Sequence, residues 1–132
     1  MRNTKTVKRK KLTILFAFDS MNVEELRDYC LSMGSDVEER FPFTKFRAAE
    51  AVLVFYVGGH MFCYFDIDNL GIVTVKHDPD DIAALKEEYP CITNPHNMSP
   101  KHWIGIDVLH ADNALTKRLI RESYERVKNN NR

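Results

Sequence analysis

The sequence predicts a two-layer α+β domain in which an antiparallel sheet packs against helices. Between residues 37 and 76, short apolar runs alternate with glycine-containing turns, which is typical of strands joined by hairpins. Helix-start patterns stand at Asn22 and Asp78, and a third stretch of helical periodicity covers residues 112–127. A chain of 132 residues fits a single domain with one core.

Composition indicates a globular protein without structural metal or disulfide bonds. Hydrophobic residues make up 44% of the chain and aromatic residues 11%, which argues against disorder. The three cysteines are far apart and form no C-x-x-C pair, so neither a disulfide framework nor a zinc knuckle is expected. Reduced thiols favour a cytoplasmic location. No apolar run approaches the ~20 residues that span a bilayer, so no membrane association is expected.

The net charge of zero conceals an uneven distribution along the chain. Residues 1–20 hold six Lys and Arg against one acidic residue, whereas residues 21–132 hold thirteen against eighteen. Proteins that bind duplex DNA usually have a basic body, because neutralising phosphates supplies most of the non-specific affinity. The acidic body therefore weakens a DNA-binding hypothesis without excluding a local basic face.

Residues 1–20 are interpreted as a basic and apolar N-terminal extension of a domain that covers residues 21–132. The extension has a basic stretch at 8–11 and an apolar run at 12–18, as in a secretory signal, but no small-residue cleavage site follows. It is either an extra strand or an upstream extension with Met21 as an alternative start.

The first helix is expected to begin at Asn22, whose side chain forms a capping box with Glu25, and to stop at Gly34. The sheet is expected to contain strands at 51–57, 61–65 and 72–76, with a type I′ turn at Gly58-Gly59. A further expectation is an edge strand at Phe41-Pro42-Phe43.

The second helix is expected to use Asp78 as its cap and Pro79 as its first residue, and to end before Pro90. A last strand is expected at 104–109, and a final helix from about Asp112 to Val127. The core face of that helix consists of Leu119, Ile120, Tyr124 and Val127.

The polar loop from His96 to Trp103 carries two histidines, one lysine and the only tryptophan. His96 and His102 lack the nearby ligands that a zinc site needs, so no metal is expected. Ser99-Pro100 predicts one capped helical turn, with Trp103 anchoring the loop on the core and the histidines as hydrogen-bonding or ligand-contacting residues.

The sequence offers little for catalysis or for a cofactor. It has no G-x-S-x-G, P-loop or G-x-G-x-x-G motif. Cys30 and Cys63 lie in apolar segments typical of inert, buried thiols, and Cys91 has no evident base. We therefore expect neither an enzyme nor a bound cofactor.

Basic residues on the last helix are the other candidate binding group. Lys117, Arg121 and Lys128 fall in a narrow arc of the helix, with Arg118 beside them. Glu122 and Glu125 lie in the same region, so a solvated helix face with i,i+4 ion pairs is an equally good interpretation.

The chain resembles the MmcQ/YjbR family of small bacterial proteins over roughly residues 21–128. The shared features are the Val75–Pro79 strand-to-helix junction, the Tyr89-Pro90 helix end and the His96–Trp103 loop. The loop of the family usually reads H-M-N-K-K-H-W, whereas here Asn97 is inserted and Ser99-Pro100 leaves Lys101 as the basic residue. Arg47–Glu50 stands where members of the family often have a short turn, and it is interpreted as a small insertion. The resemblance implies a frataxin-like or secretion-chaperone-like fold and a DNA-binding protein with a double-wing arrangement of hairpins.

Two hypotheses of function follow. The first is a cytoplasmic protein that binds duplex DNA, and the second is a module that binds a protein or a small molecule through the sheet and the loop. The candidate DNA- or ligand-binding residues are Lys76, His96, Lys101, His102, Trp103, Lys117, Arg118 and Arg121. Clustering of the five lysines and arginines on one face would favour DNA.

Overall fold

The computed structural model describes residues 20–130, which form one antiparallel sheet and three α-helices. The helices are α1 (Val23–Leu31), α2 (Ile82–Glu88) and α3 (Asn113–Asn130). The strands are β1 (Glu38–Arg40), β2 (Val52–Val57), β3 (His60–Asp66), β4 (Ile72–Lys76), β5 (Ile92–Thr93) and β6 (Trp103–Asp107). Their order in the sheet is β1-β2-β3-β4-β6-β5, with every pair antiparallel. The predicted α+β class is confirmed.

Helix α1 begins as its sequence dictates. The Asn22 side chain accepts a hydrogen bond from the Glu25 amide at 2.8 Å, and the Glu25 carboxylate accepts one from the Asn22 amide at 3.0 Å. This reciprocal pair is the predicted capping box, which satisfies two amides that the first turn leaves without partners. The helix ends at Leu31, with Ser32 as its cap, rather than continuing to Gly34.

The hairpin between β2 and β3 turns at Gly58 and Gly59, whose φ values are +61° and +80°. Both glycines adopt the positive φ that the predicted hairpin turn requires. A β-bulge then leaves Phe62 as an extra residue in β3. Phe62 and the next residue, Cys63, both reach the helices: the Phe62 ring lies edge-on to Tyr124 of α3, and the Cys63 sulfur contacts Cys30 of α1.

The edge strand differs from the prediction. It is formed by Glu38–Arg40, which pairs with β2, while Phe41-Pro42-Phe43 lies in the turns that follow. Since Pro42 has no amide to donate, pairing stops at the residue before this segment. The segment interpreted as a small insertion contains a 3₁₀ helix at Arg47–Ala49.

Helix α2 starts three residues later than predicted. Asp78-Pro79-Asp80-Asp81 forms a turn in which the Asp78 carboxylate accepts from the Asp80 amide at 3.0 Å and the Asp78 carbonyl from the Asp81 amide at 3.0 Å. Asp78 therefore caps the turn before the helix, because its short side chain reaches an amide two residues on. The predicted end before Pro90 is confirmed.

The last strand and the last helix enclose the core. Strand β6 begins at Trp103 and ends at Asp107, so the predicted strand at 104–109 is displaced toward the N-terminus, and β5 was not predicted. Helices α1 and α3 lie on the face of the sheet that carries Phe55, Cys63 and Val75. The core residues predicted for α3 are all buried. Among residues 20–130, no helix is long and apolar enough to cross a membrane.

The predictions about residues 1–20, namely an extra strand, a signal-like segment or an upstream extension, concern residues that all lie outside the described part of the chain except Ser20.

Candidate functional site

The predicted site residues separate into two groups. Lys76 and Trp103 are paired across β4 and β6, one residue beyond the core pair Val75 and Ile104. Because side chains alternate along a strand, Lys76 and Trp103 point to the face of the sheet away from α1 and α3. The loop before β6 reaches that face at His96, whose carbonyl accepts a hydrogen bond from the Tyr64 hydroxyl. We use the name sheet-face cluster for Lys76, Trp103 and the three candidate residues of this loop: Lys76, His96, Lys101, His102 and Trp103.

Trp103 is the buried residue of the sheet-face cluster. Its side chain is only 8% exposed and packs against Tyr64, with ring centroids 6.4 Å apart. The predicted burial of Trp103 is confirmed, but the ring packs against Tyr64 outside the main core cluster, and its role as the anchor of the loop stays a prediction. The Lys76 ammonium lies 5.8 Å from the centroid of the Trp103 ring, within the range of a cation–π interaction.

Two tethers hold the loop on the sheet. The Tyr64 hydroxyl donates a hydrogen bond to the His96 carbonyl, and the His77 amide donates to the His102 carbonyl at 3.0 Å. Burial raises the pKa of Tyr64, with the nearby Thr74 hydroxyl acting in the opposite direction, so the phenol stays protonated and able to donate. The carbonyls of both histidines are therefore engaged, while both side chains are exposed.

The turn before β6 presents the remaining polar residues. Ser99 accepts hydrogen bonds at its carbonyl from the amides of His102 and Trp103, at 3.2 and 3.1 Å. Its hydroxyl accepts from the Lys101 amide at 3.3 Å. This is the single capped turn that Ser99-Pro100 predicts. Lys101 and His102 are exposed at its tip.

Ser123 of α3 fixes the end of β4, where Lys76 stands. The Ser123 hydroxyl accepts from the Lys76 amide at 2.9 Å and donates to the Phe62 carbonyl at 2.6 Å. Ser123 is fully buried. It therefore satisfies two backbone groups just beyond the pairing of β3 with β4, which ends at Cys63 and Val75, and it fixes the backbone that carries Lys76.

The other predicted residues lie on α3, on the helical side of the molecule. Lys117 and Arg121 flank the Tyr29 ring of α1, at 5.6 and 5.9 Å from its centroid. The Tyr29 hydroxyl donates to the Lys117 carbonyl at 3.1 Å, which fixes the ring between the two helices. Arg118 pairs with Glu122 at 3.5 Å. We call Tyr29, Lys117, Arg118 and Arg121 the helix-face cluster.

Four of the five Lys and Arg side chains in the two clusters lack an acidic partner, as do Lys45, Arg47 and Lys86 elsewhere among residues 20–130. Within residues 20–130, no carboxylate lies within salt-bridge distance of Lys76, Lys101, Lys117 or Arg121. In contrast, carboxylates pair with Arg27, Arg40, Arg118, Arg126 and Lys128. Lys128, predicted to continue the basic arc, pairs with Asp36 at 3.0 Å and rests on the Tyr124 ring.

A cleft of about 800 Å³ lies elsewhere, where the end of α2, the end of β6 and the start of α3 meet. Among the predicted site residues, only Arg118 lines it. Its polar groups include Cys91 and a pair formed by the Asp107 carboxylate and the His110 ring at 2.8 Å. Burial raises the pKa of Cys91, and the Asp107 charge adds to the effect, so the thiol is a poor nucleophile.

Sequence reasoning missed Tyr29, Tyr64 and Ser123. Each lies in a segment whose periodicity reports only helix or strand, and each acts on a residue far away in the chain: on Lys117, on His96, and on Lys76 with Phe62. Within the described part of the chain, no three His, Cys, Asp or Glu side chains are grouped so that they could hold a metal ion.

Fold and site together define a small α+β domain with two exposed cationic surfaces on opposite sides. The sequence profile of the YjbR family matches residues 34–126. The chain belongs to the YjbR family.

Two solved structures are similar to this chain. One is the crystal structure of Deinococcus radiodurans protein DR2400, a DUF419 domain, whose sequence is 27% identical to this one. The two structures superpose with a TM-score of 0.70, over 80% of this chain and 77% of the Deinococcus chain. A protein from Pseudomonas syringae is 19% identical with a TM-score of 0.67, over 81% of this chain and 99% of that one, and shows the fold alone. No curated protein matches the sequence significantly.

Proposed function

We propose that this chain is a non-catalytic binding protein whose sheet-face cluster recognises an anionic group, a carboxylate or a phosphate, on its ligand. The observation that carries this proposal is that Lys76 and Lys101 have no carboxylate within salt-bridge distance among residues 20–130, on a domain that is otherwise net acidic. A lysine that is not neutralised within its own domain is available to a partner.

The surroundings of Lys76 favour binding because they limit its freedom before a ligand arrives. Its backbone amide is held by Ser123, and its ammonium rests over the Trp103 ring. A side chain that is already ordered loses less conformational entropy when it binds. The exposed rings of His96 and His102 add further hydrogen-bonding groups to the cluster.

A non-catalytic role is supported by the state of the thiols. Cys30 and Cys63 are fully buried, and burial raises the pKa of Cys91. The Asp107–His110 pair resembles the base of a catalytic dyad, but the neighbouring thiol is kept protonated, which favours a structural role for this pair.

The sole tryptophan supplies the test. Trp103 fluorescence is titrated with pyrophosphate and with citrate, and each titration is repeated by calorimetry, which does not depend on the fluorophore. The probes are compared on the wild-type chain, on Lys76→Gln/Lys101→Gln and on the charge-matched control Lys117→Gln/Arg121→Gln. Both double variants remove two positive charges from exposed or half-buried positions.

The expected result is that at least one probe binds the wild-type chain and the control, and that affinity falls by tenfold or more in Lys76→Gln/Lys101→Gln. That loss corresponds to about 1.4 kcal/mol or more for two charge-assisted contacts. Equal losses in the two double variants would reveal a general charge effect. An absence of calorimetric heat with both probes would contradict the proposed anion recognition.

Duplex DNA is the second candidate, and Lys117 and Arg121 favour it because they too have no acidic partner within salt-bridge distance among residues 20–130. The five basic residues proposed for DNA lie on two opposite sides, so one straight duplex contacts only one cluster. The helix-face cluster offers at most three phosphate contacts, which predicts a log–log salt slope no steeper than about −2.7 for residues 21–132.

The DNA candidate is tested by a salt titration of residues 21–132 with a labelled duplex, using the same two double variants. Loss of binding in Lys117→Gln/Arg121→Gln alone supports contact through the helix-face cluster. A slope near −4.5 would indicate five neutralised phosphates and hence a duplex that bends around the domain. Undetectable binding at low salt would reject DNA for this domain.

A further inference from the structure

Two buried cysteines meet beneath α1. The sulfur of Cys30 lies 3.7 Å from the sulfur of Cys63, which stands in β3 next to the bulge. Both residues are 0% exposed, and both thiols are free. The sulfurs are in van der Waals contact, and they would have to approach by about 1.7 Å to reach the bonding distance of a disulfide.

We propose that Cys30 and Cys63 form an oxidisable dithiol that closes into an intramolecular disulfide when α1 opens, and that this bond then clamps α1 to the sheet. The third cysteine, Cys91, lies in the cleft between α2 and α3 and takes no part. The cysteine pair has no role in the anion recognition proposed above.

The oxidant is a hydroperoxide, here hydrogen peroxide. One thiolate attacks a peroxide oxygen, the O–O bond breaks, and a sulfenic acid and hydroxide form. The second thiolate then attacks the sulfur of the sulfenic acid, the S–S bond forms, and hydroxide leaves. In total, two thiols and one hydrogen peroxide give one disulfide and two waters, so the sulfurs lose two electrons and the peroxide gains them.

In the closed structure this reaction is prevented. Burial raises the pKa of Cys63 well above its usual range, and the contact with Cys30 raises it further, so little thiolate is present. Peroxide cannot reach a fully buried sulfur either. Oxidation therefore has to proceed from a state in which α1 has left the sheet, and helix α1, of nine residues, depends on its capping box and on the burial of Leu26 and Cys30.

The clamp would act on the helix-face cluster. Tyr29 precedes Cys30 in α1, and its ring makes cation–π contacts with Lys117 and Arg121 of α3. While α1 is open, the ring leaves these two cations, and their positions are no longer fixed. A disulfide at the next residue would hold the ring in place, so oxidation would favour the ordered form of that surface.

The test uses the full chain carrying Cys91→Ala, so that only the buried pair remains. This protein is exposed to hydrogen peroxide under native conditions, quenched, and examined by intact mass and by peptide mapping without reduction. The single additional variants Cys30→Ala and Cys63→Ala are the controls, and far-UV circular dichroism verifies that each is folded. If one of them does not fold, the other gives the same information.

The expected result is a mass loss of two hydrogens, a cross-linked peptide that joins Cys30 to Cys63, and a higher melting temperature that dithiothreitol reverses. Either control should lose the two-hydrogen product. Sulfinic or sulfonic acids in place of the disulfide, disulfide-linked dimers, or thiols that remain reduced while the same protein closes readily in denaturant would each overturn the proposal.

A separate experiment tests whether the opening of α1 controls the rate of disulfide formation. Asn22→Ala removes the cap of α1 and should accelerate disulfide formation about fivefold, from the typical loss on removing such a cap. Ser99→Ala removes a comparable side-chain cap in the loop before β6 and should leave the rate unchanged. Equal acceleration by both variants would show that the pair reacts only on global unfolding and would overturn the gating.

Discussion

Replacing Trp103 by alanine separates the role of this residue in folding from a role in ligand contact. The ring is 8% exposed, packs against Tyr64 and supports the Lys76 ammonium. Truncating a buried aromatic side chain typically costs about 3–5 kcal/mol, through lost transfer energy and the cavity that remains. For a domain whose total stability is on the order of 5–15 kcal/mol, this is a large fraction.

Urea unfolding followed by far-UV circular dichroism measures this loss, since the variant has no tryptophan fluorescence. The midpoint should fall with little change in the m-value, because the surface exposed on unfolding stays similar. Thermal unfolding should show a decrease of roughly 10–20 °C. Trp103→Phe keeps an aromatic ring and should recover more than half of the lost free energy.

The control is Leu109→Ala, a large apolar residue that lies two positions beyond β6 and is 47% exposed. Its replacement should change the free energy of unfolding by no more than about 0.5 kcal/mol, as at ordinary surface positions. If Trp103→Ala costs less than about 1 kcal/mol, the ring does not anchor the loop, and the reasoning from its burial is wrong.

Three further outcomes are expected. Residues 21–132 alone should fold cooperatively, because the capping box of α1 needs no upstream residue; a molten chain by near-UV circular dichroism would contradict the boundary. Ser123→Ala should cost about 1–3 kcal/mol in urea unfolding, because the Lys76 amide and the Phe62 carbonyl lose their buried partner. Burial lowers the pKa of His77 from 6.5, so its contribution to stability is complete above pH 6.5 and is lost as the pH falls toward the lowered value. His77→Asn should flatten the pH dependence of unfolding in that window, and an unchanged profile would refute this role.

The local signals that predicted the fold are those whose partners lie within a few residues. The capping box joins Asn22 to Glu25, and the hairpin turn needs only the two glycines between β2 and β3. The predicted strands were wrong or incomplete where pairing with a neighbouring strand determines which residues are extended. Strand β5 has two residues and exists because Ile92 pairs with Ile106 of β6, a contact that no periodicity reveals.

The helix-start pattern at Asp78 shows the same limit at shorter range. An aspartate followed by proline stabilises both a helix cap and a tight turn, and sequence alone does not separate the two. Here the His77 amide still donates a hydrogen bond to the His102 carbonyl, which extends the pairing of β4 with β6 by one residue. The chain therefore completes a turn before α2 can begin at Ile82.

The candidate site was predicted residue by residue but not in its arrangement. A positive side chain and a tryptophan can be read from the sequence, whereas the pairing of Lys76 with Trp103 depends on the register of β4 and β6. The tyrosines that organise the two clusters lie 32 residues from His96 and 88 residues from Lys117. Contacts at such separations require the tertiary fold.

The separation of the two clusters limits what any one partner can do. Side-chain alternation in the sheet directs Lys76 away from α3, while the contact of Lys117 and Arg121 with Tyr29 keeps them beside α1. A rigid ligand that touches one cluster leaves the other exposed. Effects of variants in the two clusters should therefore be nearly independent, because among residues 20–130 no hydrogen bond or ion pair joins a side chain of one cluster to a side chain of the other. A ligand whose binding responds to both clusters must wrap around the edge of the domain or bring two copies of it together.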